Sequence, residues 1–153
     1  MGKLQDQIDA SVFVEHLLPS KGRKKNREIV ESCRKYIYRL TTGEIEGTIS
    51  YPALGEIWLA IRKRVSEERQ SEMLAKMNWT LHECNIRFNS PTNETLRIAT
   101  DILKEDTIMK PSDALRLAET LAANNERLVT IDKELVENVV QQNKLRIKIV
   151  YPI

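Results

Sequence analysis

The feature that most constrains this chain is the alternation of short strand-like segments with longer helical ones. The strand-like segments lie at residues 4–9, 47–50, 84–88, 128–131 and 145–151. Between them, apolar residues recur at three- and four-residue steps, as in Ile29, Cys33 and Leu40, and this periodicity predicts amphipathic helices. Strands that are separated by helices pair in parallel, so the order of elements predicts an α/β fold on a mostly parallel sheet.

The length and composition suit one domain. At 153 residues the chain has the usual size of a single domain, which we expect to span residues 1–153. No apolar run approaches the roughly 20 residues of a membrane-spanning helix, and the first residues form no apolar signal segment. The two cysteines, Cys33 and Cys84, cannot build a disulfide framework and suit a reducing compartment. We therefore expect a cytoplasmic protein with no membrane partner.

Charge and glycine content exclude several classes of function. The chain has 24 basic and 22 acidic side chains, so any affinity for nucleic acid must come from a local patch. Neither of the glycine-rich sequences that cradle dinucleotides or nucleotide phosphates is present. The two histidines, His16 and His82, cannot form the paired-histidine zinc site of a metalloprotease helix.

Four acidic residues occur where strands end or helices begin. Asp9 closes the first strand-like segment and Asp132 directly follows the fourth. Glu56 lies early in the helix after the second strand, and Asp113 lies in the first turn of a later helix. Alone, each is an ordinary solvated charge or a residue that favours a helix dipole. Because α/β folds bind ligands beyond the carboxyl ends of their strands, we expect the four to meet at one rim of the sheet.

Such a cluster of carboxylates requires compensation. Two like charges about 4 Å apart repel by roughly 4 kcal/mol at an effective dielectric constant near 20. An all-oxygen set without His or Cys selects a hard cation, Mg²⁺ or Mn²⁺. Held at an open rim, such an ion lowers the pKa of water and neutralises charge on a phosphate, so the pattern favours phosphoryl chemistry.

The residues around these acids resemble the PIN-domain family of metal-dependent ribonucleases, of which the VapC-type toxins are members. The matching segments are Ile8-Asp9-Ala10-Ser11-Val12, Leu54-Gly55-Glu56-Ile57, Ser112-Asp113-Ala114-Leu115 and Leu128-Val129-Thr130-Ile131-Asp132-Lys133. The acids follow the family's order, and the similarity covers residues 8–151.

The resemblance implies a three-layer α/β/α sandwich around a central, mostly parallel sheet of roughly four to five strands. It further implies that Asp9, Glu56, Asp113 and Asp132 hold one or two Mg²⁺ or Mn²⁺ ions and carry the hydrolysis of RNA phosphodiester bonds. Ser11 and Thr130 match hydroxyl positions beside the acids, where we expect them to hydrogen-bond water or a carboxylate.

The first strand departs from the family pattern because residues 3–8 are unusually polar. This predicts an exposed or distorted edge strand, or a strand that starts elsewhere. Asp6 is close enough to compete with Asp9 for the site, but Ser11 and its apolar continuation follow Asp9 at the family's spacing. Asp106, in the loop before Asp113, is either an additional carboxylate of the site or a solvated loop acid.

A basic segment at residues 21–27 is a candidate contact for RNA phosphates. It includes Arg23, Lys24, Lys25 and Arg27, and its alternative interpretation is a solvated loop. No aromatic residues are interleaved with it, so it provides no surface for base stacking. The large apolar side chains of the helices belong either to the core or to an interface, and for Trp58 we expect the core.

The expected partners are an RNA substrate, a second copy of the chain in a homodimer, and a small antitoxin protein if the chain is the toxin of a toxin–antitoxin pair. Maturation of ribosomal RNA is an alternative role for a nuclease of this family. The alternative from another class is a catalytically silent PIN-like module that binds RNA or protein without cutting.

Overall fold

Five strands alternate with helices within residues 2–19 and 24–153, the part of the chain that the computed structural model describes. The strands are β1 (Leu4–Ile8), β2 (Ile45–Ser50), β3 (Arg87–Asn89), β4 (Arg127–Val129) and β5 (Lys148–Val150). The helices are α1 (Ala10–Leu17), α2 (Lys24–Thr41), α3 (Tyr51–Arg64), α4 (Glu67–Glu83), α5 (Asn93–Glu105), α6 (Pro111–Ala122), α7 (Lys133–Val136) and α8 (Val139–Leu145). None of these helices is both long and apolar enough to cross a membrane.

The five strands form one sheet in the order β3-β2-β1-β4-β5, and every pair in it is parallel. Gln7 in the central strand is aligned with Thr48 on one side and with Leu128 on the other. The predicted α/β class and parallel sheet are confirmed. Because all strands run the same way, the chain leaves each of them at the same rim.

Helices cover both faces of the sheet, which confirms the three-layer sandwich. Leu128 and Val129 are neighbours on β4, so their side chains point to opposite faces. Val129 packs in the larger core with residues of α1, α2, α3 and α4, such as Phe13 and Ile57. Leu128 packs in the smaller core with residues of α5, α6, α7 and β5, such as Leu117.

The prediction that the polar first strand is an edge was wrong, because β1 lies in the centre of the sheet. Its polar side chains are buried with partners from distant segments. Asp6 accepts hydrogen bonds from Arg127 and Tyr36, and the Gln7 side chain accepts one from Asn125. A buried polar group costs little when it is hydrogen-bonded, so these partners allow a polar strand in the middle of the sheet.

The placement of Trp58 in the core was also wrong. Its side chain lies on α3 with 42% of its surface exposed, whereas Ile57 and Ile61 of the same helix are fully buried. The apolar stripe of α3 therefore passes beside Trp58.

Candidate active site

The carboxyl rim of the sheet brings the four predicted acids together. Asp9 follows β1 at the N-terminus of α1, and Asp132 lies at the N-terminus of α7, three residues after β4. Glu56 lies on α3, which begins directly after β2. Asp113 lies in the first turn of α6. The local signals that favour this arrangement are helix starts: Ser50 caps α3, and Pro residues open α3 and α6.

A guanidinium group lies at the point where the four carboxylates converge. Arg116 Nε is 3.0 Å from Asp9 Oδ1, and its Nη2 is 3.5 Å from Glu56 Oε2. Its Nη1 is 3.2 Å from Asp113 Oδ1 and 3.9 Å from Asp132 Oδ2. One side chain therefore touches acids from four different elements, which fixes how close together they are.

Asp9 is the most deeply buried of the four acids and is held by two hydroxyl groups. Its Oδ2 accepts hydrogen bonds from Ser11 Oγ at 2.6 Å and from Thr130 Oγ1 at 2.8 Å. Thr130 Oγ1 also accepts a hydrogen bond from the backbone N–H of Asp132 at 3.1 Å. These contacts join the ends of β1 and β4 and aim the other oxygen of Asp9, Oδ1, at Arg116.

We expect Thr130→Val to lower the free energy of unfolding by about 2 kcal/mol, because it removes a hydrogen bond to a buried carboxylate and leaves the Asp132 N–H unpaired. Thr41→Val is the control, since Thr41 makes only an exposed hydrogen bond to a backbone carbonyl. Urea denaturation of both variants measures the difference, and equal losses would contradict the role given to Thr130.

Asp132 serves two groups at once. Its Oδ1 accepts hydrogen bonds from the backbone N–H groups of Glu134 and Leu135, so it caps α7. Its Oδ2 faces Arg116. The helix-capping interpretation of Asp132 is therefore confirmed for one oxygen, and its other oxygen lies in the acidic cluster.

Burial and the neighbouring carboxylates raise the pKa values of Glu56 and Asp113. Burial raises the pKa of Glu56 and of Asp113, and Asp9 adds to both shifts, whereas Arg116 opposes them. Burial by itself lowers the pKa of Arg116, but the four carboxylates outweigh it and hold that pKa above the ordinary value. The arginine is therefore charged and neutralises part of the cluster.

Behind this cluster lies a buried acid, Glu119, one turn of α6 beyond Arg116. Burial raises the pKa of Glu119 to about 7; the Glu56 and Asp9 carboxylates contribute to the rise, and a hydrogen bond with Ser50 opposes it. Its Oε1 is buried and makes no hydrogen bond. Glu119 also lines a cavity of about 330 Å³ beside β2 and α5.

The donor set at the rim fits a divalent cation in its chemistry, because carboxylate oxygens are the ligands that Mg²⁺ and Mn²⁺ prefer. The buried Asp9 Oδ1 faces the cluster without a hydrogen bond, as a ligand oxygen would. As they stand, no three His, Cys, Asp or Glu side chains within residues 2–19 and 24–153 are arranged to hold a metal. The guanidinium of Arg116 lies between the acids, so it would have to move for a cation to touch them all.

Two other acids considered from the sequence lie outside this cluster. The side chain of Asp6 is buried on the sheet, where Arg127 of the neighbouring strand donates hydrogen bonds to both of its oxygens. Asp106 accepts hydrogen bonds from the backbone N–H groups of Ile108 and Met109, so it stabilises the loop before α6. The structure therefore gives both acids structural contacts of their own.

The basic segment is described only in part. Arg23 lies outside the described residues. Lys24 and Lys25 begin α2, and the description does not extend to their side chains. Arg27 is exposed on the same helix. The predicted contact of this segment with RNA stays a prediction.

Sequence reasoning missed Arg116 and Glu119. They follow Asp113 at steps of three residues on α6, so they share the face of the helix that the acid occupies. The signal was present in the sequence: two charged residues follow the rim acid at helical spacing on the same helix. A search for charges at this spacing would have found both.

Comparison with solved structures places the chain in a structural class. It is similar to VapBC2 from Rickettsia felis, solved with a DNA fragment from the promoter, with a TM-score of 0.65 and 13% identity over 97% of this chain and 98% of that chain. It is also similar to a toxin–antitoxin complex from Klebsiella pneumoniae, with a TM-score of 0.60 and 13% identity over 97% and 98%. It is similar as well to PAE2754 from Pyrobaculum aerophilum, with a TM-score of 0.56 and 16% identity over 94% of this chain and 90% of that chain.

These likenesses show that the chain has the fold of a PIN-like, VapC-like domain. No family model and no curated protein sequence matches the chain. The similarity to known proteins is therefore one of fold and not of sequence.

Proposed function

We propose that this protein is a divalent-metal-dependent endoribonuclease that hydrolyses RNA phosphodiester bonds at the carboxyl rim of its sheet. The observation that carries the proposal is the convergence of four acids, from four separate elements, on one side chain at 3.0 to 3.9 Å. Carboxylates this close together repel one another, which costs stability. A divalent cation bound among them would offset that repulsion and would serve phosphoryl chemistry.

Asp9, Glu56, Asp113 and Asp132 are the residues that would hold Mg²⁺ or Mn²⁺. When bound, the ion would supply neutralisation of the phosphate charge and acidification of water. Ser11 and Thr130 orient Asp9 through its Oδ2, and orientation of a ligand by its hydrogen-bond partners tunes a metal site.

A pair of exposed aromatic rings near the rim supports binding of a nucleic acid. Tyr51, the first residue after β2, stacks on Phe88 of β3 with ring centroids 5.8 Å apart. Both rings are at least 40% exposed. Aromatic faces of this kind stack with bases of single strands, and the basic segment that includes Arg23, Lys24, Lys25 and Arg27 would contact phosphates. The basic segment has no aromatic residues for base stacking, and Tyr51 and Phe88 would provide that stacking surface from a different part of the chain.

The biological role that we favour is the toxin of a toxin–antitoxin pair, with a small antitoxin and a second copy of the chain as partners. It is supported by the similarity of the fold to solved toxin–antitoxin structures. Exposed apolar residues are available for such partners on α3 and α4: Trp58, Leu59 and Trp79. Maturation of ribosomal RNA is the alternative role for the same chemistry.

A specific observation favours a second candidate function, a PIN-like module that binds RNA or protein without cutting. Arg116 already neutralises part of the acidic cluster and lies between its members. If the guanidinium stays in place, no cation can contact all four acids. This module would bind RNA equally well with or without divalent ions.

The test of nuclease function is cleavage of single-stranded RNA in Mg²⁺ or Mn²⁺ by the wild type and by Asp113→Asn. We expect the substitution to lower the cleavage rate by about 100-fold or more, since the loss of a ligand charge removes several kcal/mol of stabilisation from a charged transition state. Asp101→Asn on the exposed side of α5 is the control and should cut at the wild-type rate. Equal activity of the wild type and Asp113→Asn would remove Asp113 from the site.

The same pair of proteins tests binding of the cation apart from catalysis. Mn²⁺ should raise the melting temperature of the wild type more than that of Asp113→Asn, because a ligand stabilises the folded state in proportion to its affinity. RNA binding without cleavage, with no shift of melting temperature in any divalent ion, would support the silent module.

A further inference from the structure

Arg116 has the position of a bound cation. Its side chain is 22% exposed and extends from α6 into the acidic cluster, where it approaches Asp9, Glu56, Asp113 and Asp132. A planar guanidinium matches one carboxylate through two parallel hydrogen bonds. Here it is instead shared among four carboxylates that surround it.

The fit of this guanidinium to the cluster is poor. Of its four contacts, the one with Asp113 Oδ1 at 3.2 Å has hydrogen-bond geometry. Arg116 Nε and Asp9 Oδ1 are 3.0 Å apart, yet both atoms are buried without a hydrogen bond. An acceptor and a donor are thus left incompletely satisfied at the centre of the cluster, which is unfavourable in a buried site.

The same protein contains a well-fitted arginine for comparison. Arg127 binds Asp6 through both oxygens, with Nε at 2.8 Å and Nη2 at 2.7 Å. That pair has the geometry of a permanent structural contact. The contrast indicates that the acids around Arg116 are not arranged for a guanidinium.

We propose that Arg116 is an internal counter-ion that neutralises the acidic cluster in the free protein and is displaced when a divalent cation binds there. The proposal rests on the metal site of the proposed function and adds a regulator to it. Because the guanidinium and the cation compete for the same oxygens, Arg116 lowers the affinity for the cation. The site then fills at higher concentrations of free Mg²⁺ or Mn²⁺ than it would without Arg116.

The experiment is a calorimetric titration of Mn²⁺ into the full chain, as wild type, Arg116→Met and Arg116→Lys. We expect Arg116→Met to bind Mn²⁺ about 10-fold more tightly or better, because the competing charge is gone. Arg116→Lys keeps a positive charge and should bind nearly as weakly as the wild type. Arg97→Met is the control: Arg97 also contacts two carboxylates, but on the exposed surface of α5, and its loss should change nothing.

Melting temperatures supply a second readout that a purely structural arginine would not produce. In EDTA, Arg116→Met should melt below the wild type, since its carboxylates repel without compensation. In saturating Mn²⁺ the difference should shrink or reverse. If Arg116→Met does not fold in EDTA, recovery of its fold as Mn²⁺ is added gives the same test, because a cation that replaces the lost positive charge stabilises the folded state. Failure of Mn²⁺ to restore the fold would then overturn the counter-ion role.

The outcomes separate this inference from the proposed function. Equal Mn²⁺ affinity of the wild type and Arg116→Met, or weaker binding by the variant, would overturn the counter-ion role while leaving the metal site in place. Absence of Mn²⁺ binding in every variant would overturn both. Tighter binding by Arg116→Met that Asp113→Asn abolishes supports both.

Discussion

Replacement of Arg127 by Met is expected to lower the free energy of unfolding by about 3 to 5 kcal/mol, because it leaves the buried carboxylate of Asp6, in the central strand β1, without a positively charged partner. Asp6 has no exposed side-chain surface, and Arg127 supplies two of its three side-chain hydrogen bonds. Tyr36 alone cannot neutralise the carboxylate. Urea denaturation of the wild type and the variant at neutral pH measures the loss.

Two further variants show whether the loss comes from the stranded charge. Arg87→Met removes an exposed ion pair with Glu46 at 3.5 Å and should cost less than about 1 kcal/mol. Adding Asp6→Asn to Arg127→Met removes the buried charge and keeps an acceptor for Tyr36, so the double variant should be more stable than Arg127→Met alone. If Arg127→Met and Arg87→Met cost the same, Arg127 is not the partner on which Asp6 depends.

Stability is also expected to fall as pH rises, because of Glu119. Its pKa is raised to about 7 in the folded protein from an ordinary 4.5. Below pH 4.5 the group is protonated in both states and has no effect. Between these values the unfolded chain releases the proton while the folded protein keeps it, so stability decreases, and the loss is complete just above pH 7. A shift of this size corresponds to about 3 kcal/mol.

The measurement is the free energy of unfolding from pH 4 to pH 8 in EDTA, for the wild type and for Glu119→Gln. The amide does not ionise, so the variant should lack this part of the decrease, and the difference between the two proteins should change by about 3 kcal/mol across the range. Glu94→Gln, at an exposed position on α5, should follow the wild type. Parallel curves for the wild type and Glu119→Gln would show that Glu119 has the same pKa in the folded protein as in the unfolded chain.

Both predictions concern buried acids that lie outside the cluster at the rim, and they show how the protein limits the negative charge that this cluster must balance. Asp6 is neutralised by Arg127 at a distance from the cluster. The pKa of Glu119 is raised to about 7, so below neutral pH this residue keeps its proton and adds little negative charge behind Arg116. The negative charge at the rim is then mainly that of the four acids of the cluster. Among the described residues, Arg116 is the positively charged side chain that contacts all four of them.

The order of strands and helices, and the acids at their junctions, could be read from the sequence because they depend on short-range patterns. Apolar periodicity defines each element, and a parallel sheet places all strand ends at one rim. The meeting of Asp9, Glu56, Asp113 and Asp132 follows from that rule. The hydroxyls of Ser11 and Thr130 were expected from the resemblance to the PIN-domain family, which has hydroxyl residues at matching positions beside those acids.

The tertiary structure alone decided which polar residues are buried and what balances them. Asp6 and Arg127 are 121 positions apart, and no local pattern reveals that one neutralises the other across adjacent strands. For the same reason β1 was expected at an edge although it lies in the centre. The position of Arg116 depends on four elements closing around one side chain. Charge balance in the interior is set by contacts between distant segments, whereas periodicity reports only on neighbours.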